Sequence, residues 1–363
     1  MKKKRVAIMS SEFPPGPGGI GNHAENLAIY LSTQGLEILV YAAARNEFPH
    51  RSHDESFPFS ITRYSVSSHL LAKLYSSCKY LFTHSDVSCI VLSGQMQLLL
   101  VLFIKLFTRA QTVCVIHGSE FGNNRILNKI LKVAFNISDH VVAVSDFTRS
   151  RINAIGYNGK INIIPNGIVI NKSSFPIKQP PRDGVINLVT VGSLTKRKGQ
   201  YNVINALPFL VPHYSRIAYH MVGIPVDEEE IVQLAKNLNV EQHIKIHGAM
   251  SEADKLSLLN DSSIFLMLSE NLPDGDVEGF GIAILEANIL GIPAIGSIGT
   301  GVTQAINHGI TGQLVDPKSP IQIQKALSVI LYNYPTYSHN AIEWAKMHNW
   351  EVVGDRYFEI LSV

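Results

Sequence analysis

The chain has 363 residues, 46% of them hydrophobic and 17% charged, with a formal net charge of +2. That length exceeds what one hydrophobic core usually serves, so two domains are expected, and the composition excludes long disordered regions. The charge is uneven: residues 1–170 hold 17 Lys and Arg against 10 Asp and Glu, a balance of +7, whereas residues 171–363 hold 14 against 19, a balance of −5.

A basic first half suits an anionic acceptor or an anionic membrane surface; ordinary surface variation is an equal reading, because the cations are scattered. The lead Lys2, Lys3, Lys4, Arg5 resembles a signal n-region, but the apolar run Val6–Met9 is too short for the h-region that should follow. RVAIMS (5–10) is predicted instead as a buried strand. After a Gly/Pro loop, Ile20, Ala24, Leu27, Ala28 and Leu31 recur at helical spacing and Gly35 closes the helix. EILVYAA (37–43) is the next strand. In SSHLLAKLYSSCKYLF (67–82), Leu70, Leu71, Leu74, Cys78, Leu81 and Phe82 keep roughly helical spacing around Lys73 and Lys79. Such a basic amphipathic helix fits a lipid headgroup interface or, as most do, packing on the domain's own sheet.

CIVLSG (89–94), TVCVIHG (112–118) and HVVAVS (140–145) are further strands separated by helical stretches, a pattern that predicts a parallel sheet covered on both faces. The longest apolar run, Leu98–Phe107, is about half a membrane span and contains Lys105, so it is predicted as a buried helix. The three cysteines, Cys78, Cys89 and Cys114, form no C-x-x-C pair; neither a zinc site nor a disulfide framework is predicted, and a reducing, cytoplasmic setting fits. Residues 163–184, rich in Pro, Asn, Ser and Gly, read as an interdomain linker. The alternation then restarts with strands at 187–193, 216–223, 243–249, 263–269 and 293–297; Ser251 and Asp254 mark a helix start, and 319–361 reads as helices.

In open parallel sheets ligands bind beyond the carboxyl ends of the strands, and four unusual loops follow strands here. The first, SEFPPGPGGIGNH (11–23), carries Gly16, Gly18, Gly19 and Gly21, which allow backbone to approach an anion at a helix start; taken alone it reads better as a flexible Gly/Pro loop. It is not the G-x-G-x-x-G fingerprint, which argues against a conventional NAD enzyme. The second, IHGSE (116–120), puts His117 and Glu120 just past a strand, where a polar side chain can enter an interdomain cleft; a lone His at a strand end is more often structural. The third, VGSLTKRKGQ (191–200), sets Lys196, Arg197 and Lys198 before a helix, where cations oppose the helix dipole; a bound pyrophosphate would relieve that, and a solvated basic turn is the alternative. The fourth runs from Ser269 to Pro293. There Glu278 precedes Gly279-Phe280-Gly281, a helix is predicted over about 281–290, and Glu286 lies on its second turn. At about 1.5 Å per helical residue, the two carboxylates are on the order of 10 Å apart, with the helix-start amides between them, which suits a nucleotide-diphosphate sugar.

Together these segments resemble the retaining glycosyltransferases of family 4. FPPGPGGIGNHAENLA is similar to that family's glycine loop, IHGSE to its active-site His segment, IIPNGI to its passage between domains and VGSLTKRKG to its basic phosphate turn. EGFGIAILEANILGIPAI with GTGVTQAINHGITGQLV resembles its Glu-x7-Glu signature. The resemblance implies the GT-B fold: α/β, two Rossmann-like doubly wound parallel-sheet domains facing across a cleft. It implies an acceptor-side domain at 1–170, a donor-binding domain at 171–345 and a C-terminal helix at 346–363 packing back towards the first domain. It also implies roles: Glu278 at the transferred sugar beside the amides of Gly279, Phe280 and Gly281; Glu286 at the ribose; Lys198 with Arg197 on the diphosphate, beside Gly192; Gly18 and Gly19 near the phosphates; His117 near the sugar. No metal and no cofactor are implied, since cations and helix amides stabilise the leaving diphosphate.

Two departures stand out. Many relatives carry Arg where this chain has Ser193, with Arg197 as the substitute here, and many carry Glu where it has Gln304. The function so implied moves a hexose-type sugar from a UDP- or GDP-sugar to a saccharide or lipid-linked acceptor. The setting is cytoplasmic, or peripheral on the inner face of the membrane, with weak anionic-lipid contact and no nucleic-acid partner. A nucleotide-sugar epimerase of the same fold and a non-catalytic nucleotide-sugar-binding module are the alternatives.

Overall fold

The computed structural model describes residues 4–44, 50–65, 70–84, 86–170, 175–181 and 184–362, the side chains of 70–74 and 362 excepted. The expectations for Lys2, Lys3, residues 67–69 and the side chains of Leu70, Leu71, Lys73 and Leu74 therefore lie outside the described residues. The chain divides into two units, Met1–Val169 with Trp350–Val363, and Ile170–Asn349.

The first unit alternates β1 (Arg5–Ser10), α1 (Gly19–Thr33), β2 (Glu37–Ala44), α2 (Arg51–Asp54), β3 (Ser60–Ser65), α3 (Leu70–Thr83), β4 (Cys89–Ser93), α4 (Gln95–Leu99), α5 (Val101–Phe107), β5 (Gln111–Ile116), α6 (Arg125–Ile137), β6 (His140–Ala143), α7 (Asp146–Ala154) and β7 (Asn162–Ile163). Its seven strands run parallel in the order β3-β2-β1-β4-β5-β6-β7. The apolar runs of β1, β4 and β5 are buried on both faces, as a helix-covered parallel sheet requires. Met9, Leu92, Cys114, Leu131 and Phe135 share one core. Burial pushes the Cys89 and Cys114 thiols up to about 12, so neither forms a thiolate near neutrality.

The second unit holds β8 (Ile186–Val191), α8 (Gln200–Leu210), β9 (Ile217–Val222), α9 (Glu228–Asn237), β10 (Ile244–Gly248), α10 (Glu252–Asn260), β11 (Ile264–Met267), α11 (Ile282–Ile289), β12 (Ala294–Ser297), β13 (Gly312–Val315), α12 (Pro320–Tyr332) and α13 (Tyr334–Lys346). Six parallel strands follow the order β10-β9-β8-β11-β12-β13 around a core containing Tyr219, Met221, Leu266 and Ile295. Ser251 caps α10 by accepting from the Asp254 N–H at 3.2 Å. The last helix, α14 (Trp350–Ser362), belongs to the first unit and packs on α1.

One expectation needs correction, and two segments bear on readings left open above. The run Leu98–Phe107 is not one buried helix: it breaks at Leu100 between α4 and α5, and Phe103, Leu106 and Phe107 face solvent. Helix α3 sends Ser77, Tyr80 and Leu81 into the unit, Tyr80 against the Tyr41 ring at 4.6 Å, while Tyr75 and Phe82 stay exposed; its described part mainly serves the domain's own sheet. The described cations of the basic lead are engaged locally: Lys4 bonds the Leu361 carbonyl, and Arg5 pairs with Glu37 at 2.9 Å and with Asp86.

Candidate functional site

In each sheet the strand order reverses direction at one point, between β1 and β4 and between β8 and β11, and the singled-out loops follow these central strands and their neighbours. After β1 the glycine loop leads into α1, whose first residue is Gly19 and whose cap is Gly18. The end of the Glu12 side chain lies against Gly18, in the space a Cβ would take. The loop is braced by Arg63 of β3, which donates to the carbonyls of Phe13 (3.3 Å), Pro14 (2.5 Å) and Ala43 (3.2 Å) and pairs with Asp54 (2.5 Å). Sequence reasoning missed Arg63 along with its strand.

Beyond β5, Glu120 is buried and its carboxylate accepts the N–H groups of His117 (2.8 Å) and Gly118 (2.7 Å). Burial pushes this carboxyl up, against the pull of those N–H bonds and of Arg151. Burial also pushes the His117 imidazole down to about 4, so it is neutral near pH 7. Its Nε2 is buried without a hydrogen-bond partner among the described residues. His23 of α1 packs edge-on against it, ring centroids 5.0 Å apart, and bonds the Tyr357 hydroxyl of α14 at 3.0 Å. Glu12, Ile20, Tyr64, Gln95, Ser119 and Glu120 help line a cavity of about 340 Å³ near the carboxyl ends of these strands.

In the second unit, β8 ends at Gly192 and a 3-10 turn, Lys196–Lys198, precedes α8. Gly199 closes that turn at φ 82°, with no room for a Cβ against the Leu268 carbonyl. Arg197 Nη1 and Lys198 Nζ both lie 2.6 Å from Glu278 Oε2, and Arg197 Nε lies 3.1 Å from Asp276. Lys196 pairs with Glu230 at 3.2 Å. The cations expected to need a pyrophosphate are thus balanced here by carboxylates. Burial alone would raise the Glu278 carboxyl, but Lys198 and Arg197 outweigh it and hold it down at about 2.

Gly281 caps α11 at φ 92°, so the helix starts at Ile282, one residue later than expected. The Glu278 carbonyl accepts from Gly301 N–H at 2.8 Å, tying the stretch that carries Gly279 and the buried Phe280 to the 3-10 turn after β12. The N–H groups of the first turn point out of the helix, as at any helix amino-terminus. Glu286, on the second turn, is a third exposed and lies 3.6 Å from Lys255 of α10. Lys255 also pairs with Glu252 at 2.8 Å; burial would lower its ammonium, but the two glutamates prevail and raise it. Nothing in the local sequence signals Lys255.

The structure therefore brings Arg197, Lys198 and Glu278 into direct contact, sets the Lys198 chain against Gly192, and places Gly279, Phe280, Gly281 and Glu286 on one helix start. Gly18, Gly19 and His117 lie in the other unit, grouped by Glu12 and Glu120. Asp276 and Glu278 serve Arg197, and among the described residues no three His, Cys, Asp or Glu are arranged to hold a metal. No helix of the described residues is long and apolar enough to cross a membrane.

Two family descriptions match the chain: Glycosyltransferase Family 4 over residues 17–172 and Glycosyl transferases group 1 over residues 171–347. A GDP-mannose-dependent monoacylated alpha-(1-6)-phosphatidylinositol monomannoside mannosyltransferase of Corynebacterium glutamicum is 24% identical over 99% of this chain and 98% of its own length. Relatives named for colanic acid biosynthesis in Salmonella typhimurium and Escherichia coli are 24% and 25% identical over 65% and 57% of this chain. The chain spans little more than half the length of those two curated relatives, 58% and 52%. Among solved structures, Anabaena HepE in complex with UDP and glucose superposes with a TM-score of 0.80 at 18% identity, over 99% of both chains. The same Anabaena protein is also known in complex with UDP-glucose.

Proposed function

The chain belongs to glycosyltransferase family 4, and from that premise we propose that it moves a hexose-type sugar from a UDP- or GDP-sugar to a saccharide or lipid-linked acceptor, retaining anomeric configuration and using no metal. Its two parallel-sheet α/β units have the GT-B fold. The observation that carries the proposal is the convergence of Arg197 and Lys198 on one oxygen of Glu278, beside the amino-terminus of α11. Two cations and a helix start form a site for a diphosphate. As the bond from the anomeric carbon to the diphosphate oxygen breaks, negative charge grows on the leaving group, and fixed cations stabilise that state more than the bound donor.

In this reading Glu278, released from part of its ion pairing by the diphosphate, contacts the transferred sugar, and Glu286 accepts hydrogen bonds from the ribose. Neutral His117 meets a sugar hydroxyl through its unpartnered Nε2. The cavity near Glu12, Tyr64 and Gln95 takes the acceptor. Nucleotide sugars in the Anabaena complexes and in the Corynebacterium enzyme's name support the donor class. Relatives named for colanic acid biosynthesis and for mannosyl transfer to a phosphatidylinositol monomannoside support a glycan or glycolipid product.

The test is a melting-temperature panel of UDP-, GDP-, ADP- and dTDP-sugars in excess EDTA, followed by a transfer assay with the donor that shifts. A ligand that binds only the folded state raises the melting temperature. A UDP- or GDP-sugar should do so, and transfer should persist in EDTA with an α-configured product from an α-linked donor. No shift with any of the four sinks the donor assignment; activity that returns only with Mn²⁺ or Mg²⁺ sinks the metal-free mechanism.

A further inference from the structure

We propose that His23 of α1 is a positioning residue for His117: its ring fixes the orientation of the His117 imidazole, and it is itself braced by α14 through the Tyr357 hydroxyl. The inference rests on the reading of His117 as a contact to a sugar hydroxyl and names the residues that aim it. His117 Nε2 is buried with no hydrogen-bond partner among the described residues, so packing directs that edge of the ring. His23 is the ring packed on it, centroids 5.0 Å apart and planes at 76°. His23, only 1% exposed, also faces the Trp350 and Tyr357 rings, each at 5.3 Å, and its Nε2 bonds the Tyr357 hydroxyl at 3.0 Å. Trp350 and Tyr357 are two turns apart on α14 and so share one side of it. That wall is held at several points. Trp350 N–H donates to the Ile168 carbonyl at 3.1 Å, Lys4 bonds the Leu361 carbonyl, and Tyr30 of α1 bonds Asp355. The Tyr30 ring occupies the space a Cβ on Gly354 would take, so α14 lies close against α1.

His23 does more than fill space. Its Nδ1 is buried without a hydrogen-bond partner among the described residues, as is His117 Nε2. Buried polar groups are normally paired, and one left unpaired costs stability. A phenylalanine would fill the same volume without that cost, so packing alone does not call for an imidazole here. What the imidazole adds is a polar edge: Nε2 ties the ring to α14 and thereby fixes the plane that His117 packs against. Burial pushes the His23 imidazole well down, and His117 acts in the same direction, so both rings are neutral near pH 7. Burial pushes the Tyr357 phenol up, so its hydroxyl keeps its proton. The chain from α14 through Tyr357 and His23 to His117 therefore carries no net charge and works by geometry.

Transfer kinetics and histidine spectra of the full chain test the role. His23→Phe should lower kcat about tenfold and Tyr357→Phe about threefold, each with the donor KM unchanged, because misdirecting a positioned group costs rate and not donor affinity. His23→Phe added to His117→Ala should cost nothing further, since it acts through a ring already removed. Tyr30→Phe cuts the neighbouring tie between α1 and α14 and leaves the His23 contacts in place. It should keep the wild-type kcat even where it lowers the melting temperature as much as Tyr357→Phe does. In NMR spectra of protein carrying isotope-labelled histidine, Tyr357→Phe should move the His117 ring signals and Tyr30→Phe should not. Additive losses in the double variant, equal kcat losses in Tyr30→Phe and Tyr357→Phe, or His117 signals that ignore Tyr357→Phe overturn the proposal. A wild type that transfers no sugar while its His117 signals respond removes only the transferase reading. A wild type that transfers while those signals stay fixed removes only the positioning role.

Discussion

The two units repeat one architectural plan, a parallel sheet with loops at its central strand ends, yet they treat their buried polar groups in opposite ways. In the first, Glu120 is held by backbone N–H groups and His117 is kept neutral by desolvation. In the second, two cations and a carboxylate share one oxygen contact, and Coulomb attraction overrides the burial of Glu278. The first arrangement orients groups without concentrating charge, as suits a neutral hydroxyl. The second holds paired cations that an anionic ligand can draw from their carboxylates. One scaffold thus supports two chemistries through a few loop residues.

The sharpest way to break this contrast is to remove a cation. Lys198→Ala should lower turnover about 100-fold or more, by analogy with loss of a single transition-state donor, while weakening donor binding far less. Steady-state kinetics beside calorimetric donor affinity reads both; full turnover in Lys198→Ala with collapse in Arg197→Ala would move the role one residue back.

This ion pairing should also appear in stability. The folded Glu278 carboxyl sits at about 2, below its ordinary 4.5, so its contribution is present above pH 4.5 and is lost as the pH falls through 2. That contribution is on the order of 3 kcal/mol from the size of the shift. Denaturant unfolding of wild type and Glu278→Gln should show wild type ahead at pH 6 and the gap closing between pH 4.5 and 2. A gap that does not change with pH would mean the ion pairs hold nothing together.

Glu286 offers a milder perturbation, because its partner Lys255 stands 3.6 Å away and its proposed ribose contact exists before and during reaction. Glu286→Ala should raise the donor KM about tenfold and leave kcat nearly unchanged. Unaltered donor affinity by calorimetry would remove Glu286 from the ribose.

The smallest expected effect belongs to the first unit. With its imidazole at about 4, His117 gains a proton only well below neutrality, so its NMR signals should not titrate between pH 5.5 and 8. A midpoint near 6.5 would show that this site is wet and chargeable, and the contrast between the units would fail.

Much of the scaffold was legible because buried parallel strands are written as local apolar runs: RVAIMS, CIVLS and IFLM announce themselves. The edge strands β3 and β7 and the short β13 were not, because half-exposed or very short segments lose that signature, and Arg63 was lost with β3. The helix starts at Gly19 and near Gly281 were readable from glycine placement, since only a residue free of Cβ sterics tolerates Gly281 at φ 92°. The apolar run 98–107 misled, because composition states how much apolar surface a helix has but not which side its neighbours cover.

By itself the sequence determined the alternation of strand and helix, the positions of the four loops, and the residue types within them, all of which depend on spacing along the chain. Only the tertiary structure decided that Arg197 and Lys198 meet Glu278 across 81 and 80 residues, and that Lys255 reaches Glu286. The same holds for His23, which meets His117 and Tyr357 only once α1 and α14 are packed together. The physical reason is that periodicity reports a local backbone conformation, whereas an ion pair or a ring contact is fixed by which distant segments the packed core brings alongside.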